Sequence, residues 1–198
     1  QPDEYSSEDT KSTESINNDK DEQNPSESQS TVKPLNDLSN AERFVEQNGK
    51  QIRYCPELNY WFVYTDGRWI QDTGKLMYQM AKDTIKSIRE EAKRDDLSVE
   101  EKKNIISHAN KSSSKGRIKA MLDLAKWEDE VNVTVNQLDY DPWLLNCKNG
   151  TLNLRTKEFQ PHNPEDMTTK MVKAPFKPDA DCPEWVNFLN KIMENDQN

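Results

Sequence analysis

Residues 143–188 constrain this chain more than any other stretch, because a hairpin, a proline-spaced connector and an amphipathic helix follow one another there. Trp143, Leu144 and Leu145 run into Lys148-Asn149-Gly150-Thr151, and Leu152 and Leu154 then alternate with Asn153 and Arg155. Asn-Gly between alternating segments predicts a turn joining two strands with one apolar face. Glu158-Phe159-Gln160 supplies a third strand, and Pro161, Pro164, Pro175, Pro178 and Pro183 then keep the chain out of regular structure until a helix begins at Cys182 or Pro183. Trp185, Phe188, Leu189, Ile192 and Met193 fall at i, i+3, i+4, i+7 and i+8, one continuous apolar stripe; Pro183 suits the first turn and Asp181 or Cys182 the cap.

The preceding residues carry their own signals. Ser39 and Glu42 stand at capping-box spacing ahead of a short helix whose buried face is Ala41, Phe44 and Val45, and Asn48-Gly49 stops it. Ile52-Arg53-Tyr54-Cys55, Tyr60-Trp61-Phe62-Val63-Tyr64 and Arg68-Trp69-Ile70 form an antiparallel meander in which Asp66-Gly67 is the firmest turn. Three helices follow: one from about 74 to 94 with Leu76, Met77, Met80, Ala81, Ile85, Ile88 and Ala92 on one face, one capped by Ser98 and Glu101, and one carrying Ile118, Met121, Leu122 and Ala125. Val131, Val133 and Val135 alternate with polar residues and predict a short strand. The fold class is therefore α+β: short N-terminal helix, β-meander, helical middle, second β-hairpin unit and C-terminal helix.

Charge divides the chain. Of the net charge of −9, residues 1–40 contribute −7, from ten acids against Lys11, Lys20 and Lys33. Residues 1–36, acid-rich and poor in aromatic groups, cannot bury enough surface to offset their conformational entropy; they are expected to be a disordered acidic linker ahead of one domain over 37–198. Between Lys75 and Lys126, thirteen Lys or Arg face eight acids. Three cysteines, odd in number and far apart with no CxxC, argue against a disulfide framework or a zinc site and for reduced thiols in a cytosolic protein. No apolar run approaches the ~20 residues needed to span a membrane, and no membrane partner or secretory signal is expected. The first residue, Gln, fits a fragment of something longer.

The chemistry is marked by what is missing. None of the five glycines begins G-x-x-x-x-G-K followed by Ser or Thr, whose backbone amides would cradle nucleotide phosphates, so no ATP hydrolysis is expected from this chain alone. No catalytic residue and no metal ligand set is found. His108 and His162 have no Ser, Cys or carboxylate placed beside them by any recognisable pattern, and Asp95-Asp96 and Glu100-Glu101 sit where acids offset a helix dipole. Two features admit a nucleic-acid role beside a plainer one. The meander aromatics, next to Arg53 and Arg68, either stack bases or fill the core of a small β unit. Lys102, Lys103, Lys111, Lys115, Arg117 and Lys119 either meet DNA phosphates or form a solvated face.

Two strings add a resemblance. LLNCKNGTLNLRTKEFQPHNPED followed by CPEWVNFL is similar to the segment just upstream of the ATPase core in superfamily-3 primase-helicases of phages, plasmids and poxviruses. LSNAERFVEQNGKQIRYCPELNYWFVYTDGRWIQDTG resembles the start of the same domain, through Asn40-Ala41-Glu42-Arg43-Phe44 and Gly67-Arg68-Trp69. Asn149-Gly150 and Cys182-Pro183 belong to the downstream match, and Lys157 departs from the glycine the family often has in its second turn. The resemblance implies a collar-like, non-catalytic domain of a DNA-replication protein in a bacterial host's cytoplasm. Its partners would be DNA, other subunits of a hexameric ring and an upstream primase or initiator part; ATP and Mg²⁺ would be cofactors of a downstream motor. The alternative is a stand-alone regulator that binds DNA or a replication protein.

Overall fold

The computed structural model describes residues 33–193, and the expected linker therefore lies mostly outside the described residues. The α+β expectation holds: helices accompany two separate three-stranded antiparallel sheets. Helix α1 spans Asp37–Asn48; strands β1 (Ile52–Cys55), β2 (Tyr60–Thr65) and β3 (Arg68–Gln71) form the meander. Helices α2 (Lys75–Glu91), α3 (Val99–Ser112) and α4 (Lys115–Ala125) make the helical middle. Strands β4 (Leu144–Cys147), β5 (Gly150–Asn153) and β6 (Phe159–Gln160) make the second sheet, and α5 covers Pro183–Met193.

Several local signals work as read. Ser98 and Glu101 close a full capping box on α3, and Asp66 (φ 49°) and Gly67 (φ 75°) both take the left-handed backbone that a tight β2–β3 hairpin needs. Other expectations are corrected. The cap of α1 is Asn36, whose Oδ1 accepts the Ser39 N–H at 2.8 Å, so Ser39 lies inside the helix and the Ser39–Glu42 box does not form. The valine run 131–135 is not a strand: it contributes two 3₁₀ turns, Asp129–Val131 and Val135–Gln137, and a single parallel bridge from Asn132 to Tyr54. In the second hairpin Cys147 pairs with Gly150, so the turn is Lys148-Asn149 and Gly150 opens β5. Its glycine is needed for close approach, since a Cβ there would lie 2.5 Å from the Gln160 carbonyl and 2.6 Å from the Phe159 ring.

The meander is packed on both faces. Side chains alternate along β2, so Trp61 and Val63 share one face and Phe62 and Tyr64 the other. On the first face Trp61 meets Phe44 of α1 edge-on, with ring centroids 6.5 Å apart. On the second, Cys55, Phe62, Trp69 and Val133 form a buried cluster against which Tyr64, Leu138 and Met167 pack. Trp69 is 1% exposed, and truncating such a side chain costs about 3–5 kcal/mol. The valines that fail as a strand thus still serve the core. Helix α5 has the expected periodicity, but Trp185, Phe188, Leu189, Ile192 and Met193 are all exposed. Among the described residues no helix is long and apolar enough to cross a membrane.

Candidate functional site

The Asn-Ala-Glu-Arg-Phe motif is a structural clasp. Helical spacing sends Asn40, Ala41, Arg43 and Phe44 inward and leaves Glu42 half-buried. Arg43 grips Glu91 of α2 and donates to the carbonyls of Pro34 at 3.0 Å and Ser39 at 3.3 Å. Asn40 donates from Nδ2 to Ser112 Oγ at 3.0 Å and accepts at Oδ1 from His108 Nε2 at 2.9 Å. His108 is buried, and its proton affinity is lowered first by burial and then by the charges of Arg117 and Arg43. Ser112 does stand beside it, four residues on along α3 and 3.3 Å away. That i, i+4 spacing was the available signal, and the bonds that both residues make to Asn40 hold α1 to α3 rather than activating a nucleophile.

A second joint connects the two strand units. Trp69 donates from Nε1 to the Pro164 carbonyl at 2.8 Å, and its backbone N–H reaches the Thr168 carbonyl at 2.9 Å. Asn146 of β4, also buried, donates to the carbonyls of Gly67 at 3.0 Å and Lys170 at 3.1 Å. Gly67 admits no side chain, since a Cβ would fall 2.5 Å from the His162 ring. The Gly67-Arg68-Trp69 turn and the segment around Asn163-Pro164-Glu165-Asp166, far apart in sequence, therefore dock on each other. Asp166 is buried there, and burial raises its carboxyl affinity for protons.

The six basic residues occupy α3 and α4 but not on equal terms. Lys103, Lys111 and Lys115 are exposed and Lys102 half-exposed, with no carboxylate partner among the described residues. Arg117 is paired with Asp37 at 3.0 Å and Lys119 with Asp123 at 2.9 Å. The sequence reading missed Lys82, Lys86 and Arg89, which line one cavity of about 310 Å³ together with Ser113 and Ile118 at the α3–α4 turn. Their i, i+4, i+7 spacing along α2 places them on one face and was legible in principle.

Most meander aromatics are core. Tyr54, Phe62 and Trp69 are buried, and Arg53 lies over the Trp69 ring at 4.9 Å and 3.7 Å from Glu165. Tyr60 is the exception at 44% exposed. It shares a cleft of about 240 Å³ with Trp61, with Tyr78 of α2, and with Lys119 and Lys126 from α4 and the residue after it. The aromatic and basic candidates thus meet at one place. Asp123 sits between the lysines, 2.9 Å from Lys119 and 3.0 Å from Lys126, and these bonds hold its carboxyl below the usual range.

Among the described residues no group of three or more His, Cys, Asp or Glu is placed to hold a metal ion. Cys55 and Cys147 are buried free thiols, whose ionisation burial opposes, and Cys182 is an exposed one beside Pro183. Asn149 closes the β4–β5 turn onto the connector, bonding both the N–H and the carbonyl of Phe176. A family model described as D5 N terminal like matches residues 41–194. No curated protein matches the chain.

Proposed function

This chain belongs to the D5 N terminal like family, the N-terminal region of primase-helicase proteins that act in DNA replication, and on that premise we propose that it is a non-catalytic, collar-like module that contacts DNA. The observation that carries the reading is the placement of Lys111 and Lys115 on the two sides of the α3–α4 turn, exposed and without a carboxylate partner among the described residues, beside the basic face of α2. Lysines held this way neutralise phosphates and release counterions, so the binding is weak, independent of base sequence and steeply salt-dependent. Assembly into a ring with other subunits multiplies such contacts through effective concentration. The exposed apolar stripe of α5 supports the assembly part of the reading, because such faces are commonly covered in a complex. The upstream primase or initiator part would be tethered by the acidic segment 1–36, and ATP with Mg²⁺ would be bound by a motor region rather than by this domain.

Replacing Lys111, Lys115, Arg117 and Lys119 with Ala tests the DNA contact. Duplex affinity at low salt should fall by about tenfold or more, with a shallower dependence on salt. If affinity and slope survive, both in the domain alone and fused to an ATPase core, the patch is a solvated face and the DNA reading fails.

A further inference from the structure

We propose that the cleft between β2, α2 and α4 accepts an unstacked base of single-stranded nucleic acid while the neighbouring phosphates lie along α4. The inference rests on the DNA-contact reading and narrows it from DNA in general to a single strand.

Tyr60 and Trp61 at the start of β2 and Tyr78 of α2 line a cleft together with Lys119 and Lys126, and the Lys126 ammonium also lies over the Tyr54 ring, 5.3 Å from its centroid. Tyr60 stays 44% exposed in a meander whose other aromatics pair with one another or with the core. Base stacking on such rings is sequence-tolerant, because every base presents a π-face, and cations beside the rings hold the backbone. A duplex keeps its bases stacked inside and offers those faces only at a cost in unstacking.

The charges of the cleft are arranged for release. Asp72 points both carboxylate oxygens at the first turn of α2, accepting from the N–H groups of Leu76 and Met77 at 3.1 and 3.2 Å, so its charge is answered by the helix start. Asp123 is the carboxylate bonded to both lysines, at 2.9 and 3.0 Å, and for Lys119 it is the hydrogen-bonded partner. A phosphate entering beside Lys119 competes with that one carboxylate, and Lys119, its side chain 70% exposed, turns toward it at little cost. Lys115 stands one turn before Lys119 on α4, on the same helical face, which gives a strand leaving the cleft a basic path.

The test uses the whole chain with a fluorescent oligothymidylate, the same sugar-phosphate backbone without bases, and a duplex. The parent protein should bind oligothymidylate more tightly than the abasic strand. Tyr60→Leu with Tyr78→Leu should lower affinity for oligothymidylate by about tenfold, to the abasic level, and leave abasic binding unchanged. Asp123→Asn, which frees two lysines, should raise affinity for both strands by roughly threefold or more at low salt, a gain that misfolding cannot produce. Equal binding of oligothymidylate and abasic strand by the parent removes the base pocket while leaving phosphate contact intact. Binding of neither strand nor duplex removes the underlying DNA reading as well. Unchanged oligothymidylate affinity in the double tyrosine variant overturns the proposal, and if that variant instead loses self-association, the cleft is an interface between copies.

Discussion

Arg43 of α1 and Glu91, the last residue of α2, are joined by two parallel hydrogen bonds, Nε to Oε1 at 2.8 Å and Nη2 to Oε2 at 3.0 Å. The arginine side chain is 2% exposed and the glutamate 29%. The planar guanidinium fork suits both this pair and the carbonyls of Pro34 and Ser39, which Lys could not satisfy together. Arg43→Ala should therefore destabilise the domain by about 3 kcal/mol, the low end for a broken buried pair because Glu91 keeps some access to water. Glu91→Gln should cost about 1–2 kcal/mol, since it leaves the guanidinium hydrogen-bonded but uncompensated. Urea denaturation of both single variants and the double variant checks this. The double variant should cost less than the sum of the singles, and strict additivity would mean that the pair is not coupled.

Lys157 offers a prediction of the opposite sign. It sits at φ 64°, in the left-handed region, at the position where the resembling family often carries glycine. The turn is held without its side chain: Asn153 Oδ1 accepts the N–H groups of Arg155 at 2.9 Å and Thr156 at 3.1 Å, while the Lys157 backbone N–H reaches the Asn153 carbonyl at 2.7 Å. A side chain in this conformation costs about 1 kcal/mol, so Lys157→Gly should stabilise the domain by about that amount and raise its melting temperature by about 2–4 °C. A lower melting temperature would show that the entropy glycine adds to the unfolded chain outweighs the relief of strain.

These two sites show which features a linear reading reaches. Local periodicity and turn chemistry placed the α4 face of Ile118, Met121, Leu122 and Ala125, the Ser98–Glu101 box and the Asp66-Gly67 hairpin, because each depends on neighbours within a few residues. The alternation at Val131, Val133 and Val135 misled, since what buries Val133 is the distant pair Cys55 and Trp69 and not a ladder of its own. The Asn40–His108 bond, the Trp69–Pro164 bond and the approach of Lys119 to Tyr60 and Tyr78 join residues up to 95 positions apart. No spacing rule encodes such partners. The motifs were visible as strings, but what each of them holds, Arg43 and Asn40 to α2 and α3 and Gly67-Arg68-Trp69 to the Pro164 segment, is a property of the tertiary structure.

The buried imidazole of His108 predicts how the domain responds to acid. Asn40 directs Oδ1 at His108 because its Nδ2 is engaged by Ser112, so the ring donates from Nε2. Burial, then the charges of Arg117 and Arg43, lower its affinity for a proton below the ordinary value of 6.5, with Asp37 and Glu91 pulling weakly the other way. The unfolded chain therefore binds this proton more readily than the folded one. The contribution of His108 to stability is complete above about pH 6.5 and is lost as pH falls toward the folded-state value, at a rate that one group cannot push past about 1.4 kcal/mol per pH unit. Asp166 acts with the opposite sign, because its raised proton affinity favours the folded state as pH falls. Asp83, Glu101 and Asp123 hold their protons less readily than ordinary carboxyls and respond only at lower pH. Thermal melting between pH 5 and 8 should thus show a loss of stability that begins near pH 6.5. In His108→Gln, whose amide keeps a donor for Asn40 without a titratable charge, the profile should be flatter across that range. Parallel profiles for the variant and the parent would mean that His108 stays unprotonated throughout or that its proton is no more costly folded than unfolded.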